Sequence, residues 1–448
     1  MTQRHPGTFM LLKLTLAAIL IFPPNLVFSP LGASGSLPEI LALGLFVVWL
    51  MEAFLGLRHS AWSSHPGRTA VLVFAFASCL SYASLFLGFS GLSTSLARAG
   101  ADRWMLLMVA IMGIVFITSE TVRDLDDVMS LARWVLAGGA VCAAVAVIQF
   151  ATHTNPVDLL KALMPGFVEN SEASSFQARN ALMRVAGTTL HPIELGVVSS
   201  MLLPLAVWRA LYDRTGSRMI HWGIAVVLLV ANALTVSRSA MLALAVAITV
   251  MVPALPPIPR KWALVTVPVV GAGLFVTVPG LVSAMFNSVA DSSSDSSITW
   301  RLDDYPRAES LVAQKPLLGG GPGTYMHLSM KDNFDNQYLL IAVTMGIIGL
   351  LAFALYVSVP GLAALGVARW TADPSLRLLA ASAGAAGIIT AVSSATFDSM
   401  SFQVFALLYP FFIGISGVVG RLHRSDGRGS GAARTALSPS KFIPTAIH

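Results

Sequence analysis

LLGGGPGTYMHLSMKDNFDNQYLLIAVTMGIIGLLAFALY, residues 317–356, joins three kinds of sequence without a break. A glycine-rich turn (Gly319, Gly320, Gly321, Gly323) comes first, then a polar segment carrying His327, Lys331, Asp332 and Asp335. The rest is an apolar run long enough for a membrane-spanning helix. Polar groups held at the mouth of a span are costly to keep there, so they are candidate site residues. The plainer reading is an ordinary loop leading into an ordinary helix. The charged residues elsewhere in the chain decide between the two.

Of the 448 residues, 55% are hydrophobic and only 11% charged. Soluble domains carry about twice that share of charge, so the chain is an integral membrane protein. The apolar runs are continuous and lack strand-like alternation, which indicates an all-α protein rather than a barrel. Cys79 and Cys142 both sit in apolar runs and read as buried small hydrophobes, not as a disulfide or metal pair. The net charge of +6 fits basic cytoplasmic ends and makes no case for nucleic acid. No P-loop, GxGxxG, CxxC or HExxH pattern occurs, which argues against a nucleotide motor or a zinc enzyme.

Outward from the opening stretch, spans are expected at about 11–29, 37–56, 69–88, 103–119, 131–151, 189–208, 219–236, 239–256, 262–282, 336–366, 376–395 and 401–420. The first is read as a retained anchor broken by Pro23-Pro24, not as a cleaved signal. That is about 12 transmembrane helices with a large extracytoplasmic loop between the ninth and tenth. Most of the 28 Lys and Arg fall in the loops that are cytoplasmic when both termini are inside. The chain divides into an N-terminal transmembrane half (1–218) with an outer loop at 152–188, a core (219–366) with an outer loop at 283–335, a C-terminal hairpin (367–420) and a tail (421–448). The tail, rich in Arg, Ser, Gly and Ala, reads as disordered. In the 283–335 loop, the residues from Pro306 to Gln314 are expected to form a short helix, after the low-complexity run DSSSDSS at 291–297. Long ordered loops over a compact scaffold tend to carry function.

Arg238 is the most informative single residue. In LTVSRSAML a turn of two or three residues must hold it at the outer surface, against the positive-inside trend. It is either a snorkelling arginine or an anion clamp, because the planar guanidinium fork matches phosphate oxygens and keeps its charge. Arg301 and Arg307 lie on the same side, ahead of the glycines, with Lys315 and Lys331 behind. Together they imply a phosphate or carboxylate ligand or attraction to anionic lipid, although Asp303, Asp304 and Glu309 also offer local salt bridges. Gly321 and Gly323 allow close backbone approach, with N–H groups offered toward an anion. Asp335 reads either as the N-cap of a helix starting at Gln337 or as a carboxylate that takes a proton from an attacking hydroxyl. His327 and His191 are alternative bases, and a lone loop histidine is more often incidental.

RVAGTTLHPIELG (184–196), SRSAMLALAVA (237–247), WRLDDYPRAESLVAQKPLLGGGPGTY (300–325) and DNQYLLIAVTMGIIGL (335–350), in that order, resemble the O-antigen ligase and polysaccharide polymerase family of bacterial membrane glycosyltransferases. The likeness to that family's C-terminal core spans about 220–365. It implies an inner-membrane enzyme with an outward-facing reaction, and the distribution of basic residues places both termini in the cytoplasm. Such an enzyme moves a glycan from a polyprenyl diphosphate to an acceptor hydroxyl on a glycan or lipid, with no cofactor, no metal and no nucleic acid. On that likeness Arg238 and Arg301 match the arginines that hold the diphosphate. Arg307, Arg184, Gly321 and Gly323 are read beside them as diphosphate-binding residues, and His327, Asn336 and His191 as possible bases or acceptor-binding residues. Asp335 stands where many ligases place a histidine, which tilts the reading from lipid A-core ligase toward a polymerase or generic glycan ligase. The competing reading is a transporter or flippase for a lipid-linked or anionic solute. That would place ionisable residues near the midplane of spans. Here Glu52 and Glu194 lie near span ends and Asp398 in a short outer turn.

Overall fold

The computed structural model describes residues 6–56, 65–88, 94–170, 176–179, 182–277, 296–327 and 334–436. Fourteen helices are named among them. They are α1 (Pro6–Ile21), α2 (Leu37–Phe54), α3 (Pro66–Phe86), α4 (Ser95–Thr121), α5 (Leu125–Thr152), the short α6 (Val157–Leu163) and α7 (Pro192–Tyr212). After these come α8 (Arg218–Leu234), α9 (Arg238–Ala254), α10 (Pro257–Thr277), α11 (Ser296–Gln314), α12 (Gln337–Trp370), α13 (Pro374–Ser393) and α14 (Gln403–Ala436). Beside them are short 3₁₀ turns and two small antiparallel ribbons, β1 (Leu26–Phe28) on β2 (Phe167–Glu169) and β3 (Phe176–Arg179) on β4 (Leu182–Val185).

Side chains start these helices where the sequence changes from polar to apolar. Ser36, Thr94, Asp124, Ser237 and Asp373 each accept a backbone N–H from the first turn that follows. Eight helices, α2, α3, α4, α5, α7, α12, α13 and the Gln403–Ser425 part of α14, are long and apolar enough to cross a membrane. The apolar helices α1, α8 and α9 are shorter. Eight of the twelve expected spans thus coincide with helices of this length among the described residues.

α14 runs through the middle, packed against α1, α3, α4, α7, α12 and α13, and its Phe405, Phe411 and Phe412 are fully buried. The other helices surround it, with α12 between α3 and α13, and α9 between α7 and α13. Where α12 crosses α13, Gly361 and Gly387 bring the backbones together. A Cβ on Gly387 would stand 2.5 Å from the Gly361 Cα. Small residues at such crossings permit the close packing that replaces the hydrophobic effect between helices in lipid.

Several expectations change. The first helix ends at Ile21, not 29, because Pro23 and Pro24 cannot continue it. Residues 26–28 pair instead with 167–169, Val27 opposite Val168. α11 begins at Ser296 and carries Pro306 in its interior, ten residues earlier than the short helix expected after that proline. Arg301 therefore lies within the helix. Cys79 is exposed on the bundle surface, and only Cys142 is buried; both are free thiols. Most of the DSSSDSS run, Lys331 and the tail beyond 436 fall outside the described residues.

Candidate functional site

One end of the bundle gathers nearly every segment singled out in the sequence. Its first corner is built on α7 and the α8–α9 turn. Asn232, near the end of α8, donates from Nδ2 to the Gly196 carbonyl (2.7 Å) and to Ser200 Oγ (2.9 Å) on α7. The turn Thr235-Val236-Ser237 follows, with Val236 at φ 45°, a conformation β-branched residues rarely adopt. Ser237 caps α9, and the half-buried Arg238 occupies the first helical position beside the positive end of the helix dipole. Arg184, buried on β4, donates from Nε to the Thr235 carbonyl at 2.8 Å. It is thus a brace for the turn that presents Arg238.

His191 belongs to this corner but is poorly suited to be a base. Its Nδ1 accepts the Ile193 N–H at 3.0 Å as the cap of α7, and its ring packs on Phe402 at 5.8 Å between centroids. Burial, with the Arg184 charge nearby, lowers its pKa to about 4. The nitrogen that could take a proton is already an acceptor, and a neighbouring cation opposes the charge. Close by, Glu194 is fully buried, and its two oxygens accept the backbone N–H groups of Leu190 (3.1 Å) and Phe405 (3.0 Å). That carboxylate ties α7 to α14.

The second corner is α11 lying on the first turns of α12. Ala308 packs with Phe334, Leu340 and Val343, and Leu311, Val312, Tyr325 and Leu339 flank them. Arg307 sets its guanidinium 5.0 Å from the centre of the Phe334 ring, a cation–π contact that leaves it half-buried. Asn336, not Asp335, caps α12. Its Oδ1 accepts from Tyr338 N–H (2.9 Å) and Leu339 N–H (3.4 Å). Asp335 is exposed and is not needed as a cap. Arg301 is on α11 and His327 ends a 3₁₀ turn (Thr324–His327), but both side chains lie outside what is described.

The glycines serve close backbone approach, but the Gly321 N–H is not offered to an anion. Gly319, Gly321 and Gly323 all have positive φ, 65°, 114° and 67°. The Gly321 N–H donates to the Thr344 carbonyl at 2.8 Å, so it is spent inside the protein and not held out to an anion. Gly323 lies against the Gly100 carbonyl of α4, where a Cβ would come within 2.5 Å. Close packing of backbone on backbone is what requires these glycines.

Between the two corners runs the turn from α13 to α14. The Gln337 N–H donates to the Ser394 carbonyl (2.8 Å), and the Met400 N–H donates to Gln337 Oε1 (2.8 Å). These bonds set Asp398 between the corners. Burial raises the Asp398 carboxyl pKa to about 7; Ser401 opposes this through a hydrogen bond, and the negative charge of Asp335 adds to it. The sequence signal for Asp398 is its place in a short turn between two apolar runs. Among the described residues no group of three or more His, Cys, Asp or Glu is placed to hold a metal.

Nearly all of this end on the α8–α12 side lies in one block of sequence, and that block has a counterpart. Residues 223–354 match the O-antigen ligase family. No curated protein matches the chain. The O-antigen ligase match takes in Arg238, Arg301, Arg307, Gly319–Gly323, His327, Asp335 and Asn336. It leaves out Arg184, His191, Glu194 and Asp398, which the fold brings to the same end. Over its core the chain is similar to membrane ligases and polymerases that transfer glycans.

Proposed function

We propose that the protein transfers a glycan from a polyprenyl diphosphate to a hydroxyl of an acceptor glycan or lipid. In this reading the reaction takes place at the outer face of the bacterial inner membrane. The O-antigen ligase match over the segment that carries the arginines is the observation behind this reading. The twelve-span layout, with both termini cytoplasmic and the loop-rich end outward, belongs to the same proposal. Basic residues at the opposite end support it, among them Arg68, Arg133, Arg209 and Arg421, each engaged with a carboxylate or helix-end carbonyl.

In the reaction the acceptor oxygen bonds to the anomeric carbon as the bond from that carbon to the diphosphate oxygen breaks. The departing electron pair stays on the diphosphate, and the acceptor proton goes to a base. Arg238 and Arg301 hold the diphosphate, with Arg307 beside them, and stabilise the charge that grows on the leaving oxygen. Each tenfold in rate takes about 1.4 kcal/mol of such stabilisation. Asp335, exposed at the mouth of α12, takes the proton. The scheme calls on no cofactor.

The transporter reading draws on one feature, a break in α12 at Gly346. Transporters leave the ends of broken helices open to substrate, whereas here the chain itself occupies the break. The test uses purified protein in nanodiscs with a polyprenyl-diphosphate glycan and an acceptor. Release of polyprenyl diphosphate together with glycosylated acceptor is expected. Arg238→Ala and Arg301→Ala should each abolish it, and Asp335→Ala should reduce it. Unaltered substrate with active-state protein would overturn the proposal, and full activity in an Arg238→Lys/Arg301→Lys double variant would remove the case for the guanidinium fork.

A further inference from the structure

α12 is interrupted at Gly346 (φ 63°, ψ −165°), nine residues after its start. In an unbroken helix Ile347 would donate to Val343 and Ile348 to Thr344. Breaking those two bonds leaves four polar groups roughly 10 Å down the helix axis from Gln337, at a depth where unpaired backbone is not tolerated in lipid. All four are taken up by residues 316–321, the strap that leaves α11. The Gly320 N–H donates to Val343 O (3.2 Å) and the Gly321 N–H to Thr344 O (2.8 Å). The Ile347 N–H donates to Pro316 O (2.8 Å) and the Ile348 N–H to Leu317 O (3.4 Å).

The fit is reciprocal. A Cβ on Gly319 would lie 2.3 Å from the Thr344 carbonyl carbon, and one on Gly346 would lie 2.4 Å from that of Leu317. Neither glycine can be replaced without moving the other segment's backbone. A third element closes the joint from the side. Ser81 of α3, fully buried, donates its hydroxyl to Leu318 O (2.7 Å) on the strap and to Thr344 O (3.1 Å) on α12. One turn earlier on α3, Ser78 accepts the Trp104 Nε1–H of α4 at 3.1 Å and reaches Met345.

We propose that the strap, pinned by Ser81, is the positioning device of the site, locking α11 and the first turns of α12 into one rigid body. This rests on the proposed glycan transfer for its consequence, because α11 bears Arg301 and Arg307 while α12 opens at Asp335. Ser81 is a positioning residue: it touches no substrate and acts by holding the cations and the carboxylate in register. It lies outside the matched block of sequence, on a helix otherwise read as lipid-spanning scaffold.

The test reads position and turnover separately, on the full chain in nanodiscs. Spin labels at Glu309→Cys on α11 and Leu351→Cys on α12, both exposed positions, report the spacing after Cys79→Ala and Cys142→Ala. A narrow distance distribution is expected, broadened by Ser81→Ala and restored by Ser81→Thr. In the same variants kcat for glycan transfer should fall about tenfold in Ser81→Ala, with donor KM little changed, and recover in Ser81→Thr. An unchanged distribution in Ser81→Ala, or a broadened one with unchanged turnover, overturns the proposal. Hydrogen exchange on the unaltered protein gives an independent check, since rapid exchange at the Gly320 and Gly321 amides would rule out the seated strap. If the unaltered protein transfers no glycan, the functional reading fails, while the spacing and exchange results still judge the strap.

Discussion

At the scale of single residues, protonation separates the candidate bases. His191 spends Nδ1 on the α7 cap and has its pKa lowered to about 4, so an acceptor of similar reach should replace it. His191→Asn keeps the cap and should retain most glycan transfer, with the pH profile unmoved; a loss of a hundredfold or more would return the base role to this histidine. Asp398 behaves in the opposite way. Its folded pKa of about 7 exceeds that of an ordinary carboxylate, so the folded protein holds a proton there that the unfolded chain releases. Its contribution to stability therefore falls as pH rises from about 4 to about 7 and stays flat above. Asp398→Asn should raise the melting temperature at pH 8 and leave it unchanged at pH 4. Equal shifts at both pH values would mean that Asp398 is not held neutral. Arg238 stands out in the sequence as a charge between apolar runs, and Asp335 as the last charge before the apolar run of α12. The braces do not: Arg184 meets Thr235 across 51 positions of sequence, and only the fold reveals that contact.

Among the elements, α12 shows how far pattern reading reaches. Its apolar length predicts a span, and the polar segment before it predicts a start near Gln337, which is where the helix begins. The cap is Asn336 and not Asp335, a one-residue difference. The break at Gly346 carries no such signal, because a glycine inside an apolar run is unremarkable in membrane helices. It becomes intelligible only with the strap seated against it. Gly346→Ala forces a side chain into positive φ and against the Leu317 backbone, which should cost about 2 kcal/mol or more. A melting temperature equal to that of the unaltered protein would show that the strap yields easily. Close backbone approach, the property that the glycines of the strap offer, is used inside the protein. Their partners are α4 and α12.

Across the whole molecule the two ends differ in how charge is handled. Opposite the loop-rich end, Asp213 lies buried between α7 and α8, accepting from Arg133 Nε (2.9 Å) and Nη2 (2.7 Å), Arg209 Nε (3.2 Å) and the Thr215 N–H (2.9 Å). Burial alone would raise its pKa, but those donors outweigh it and hold the carboxyl below its usual range. The stabilisation is therefore present at neutral pH and lost as pH falls through the folded value. Asp213→Ala strips a shared partner from Arg133 on α5 and Arg209 on α7 and should cost about 3 kcal/mol. A drop in melting temperature at pH 7 that shrinks toward pH 3 is the expected reading, and a pH-independent drop would mean a packing effect alone. Composition by itself determined the helical membrane class, because a chain this apolar must satisfy its backbone within each segment. The run of apolar stretches placed the helices for the same reason. Which helix ends meet depended on the tertiary structure. Contacts such as Glu194 with Phe405, Gln337 with Ser394 and Ser81 with Leu318 form between segments far apart in sequence. No local pattern encodes them, because each is selected by the packing of the entire bundle.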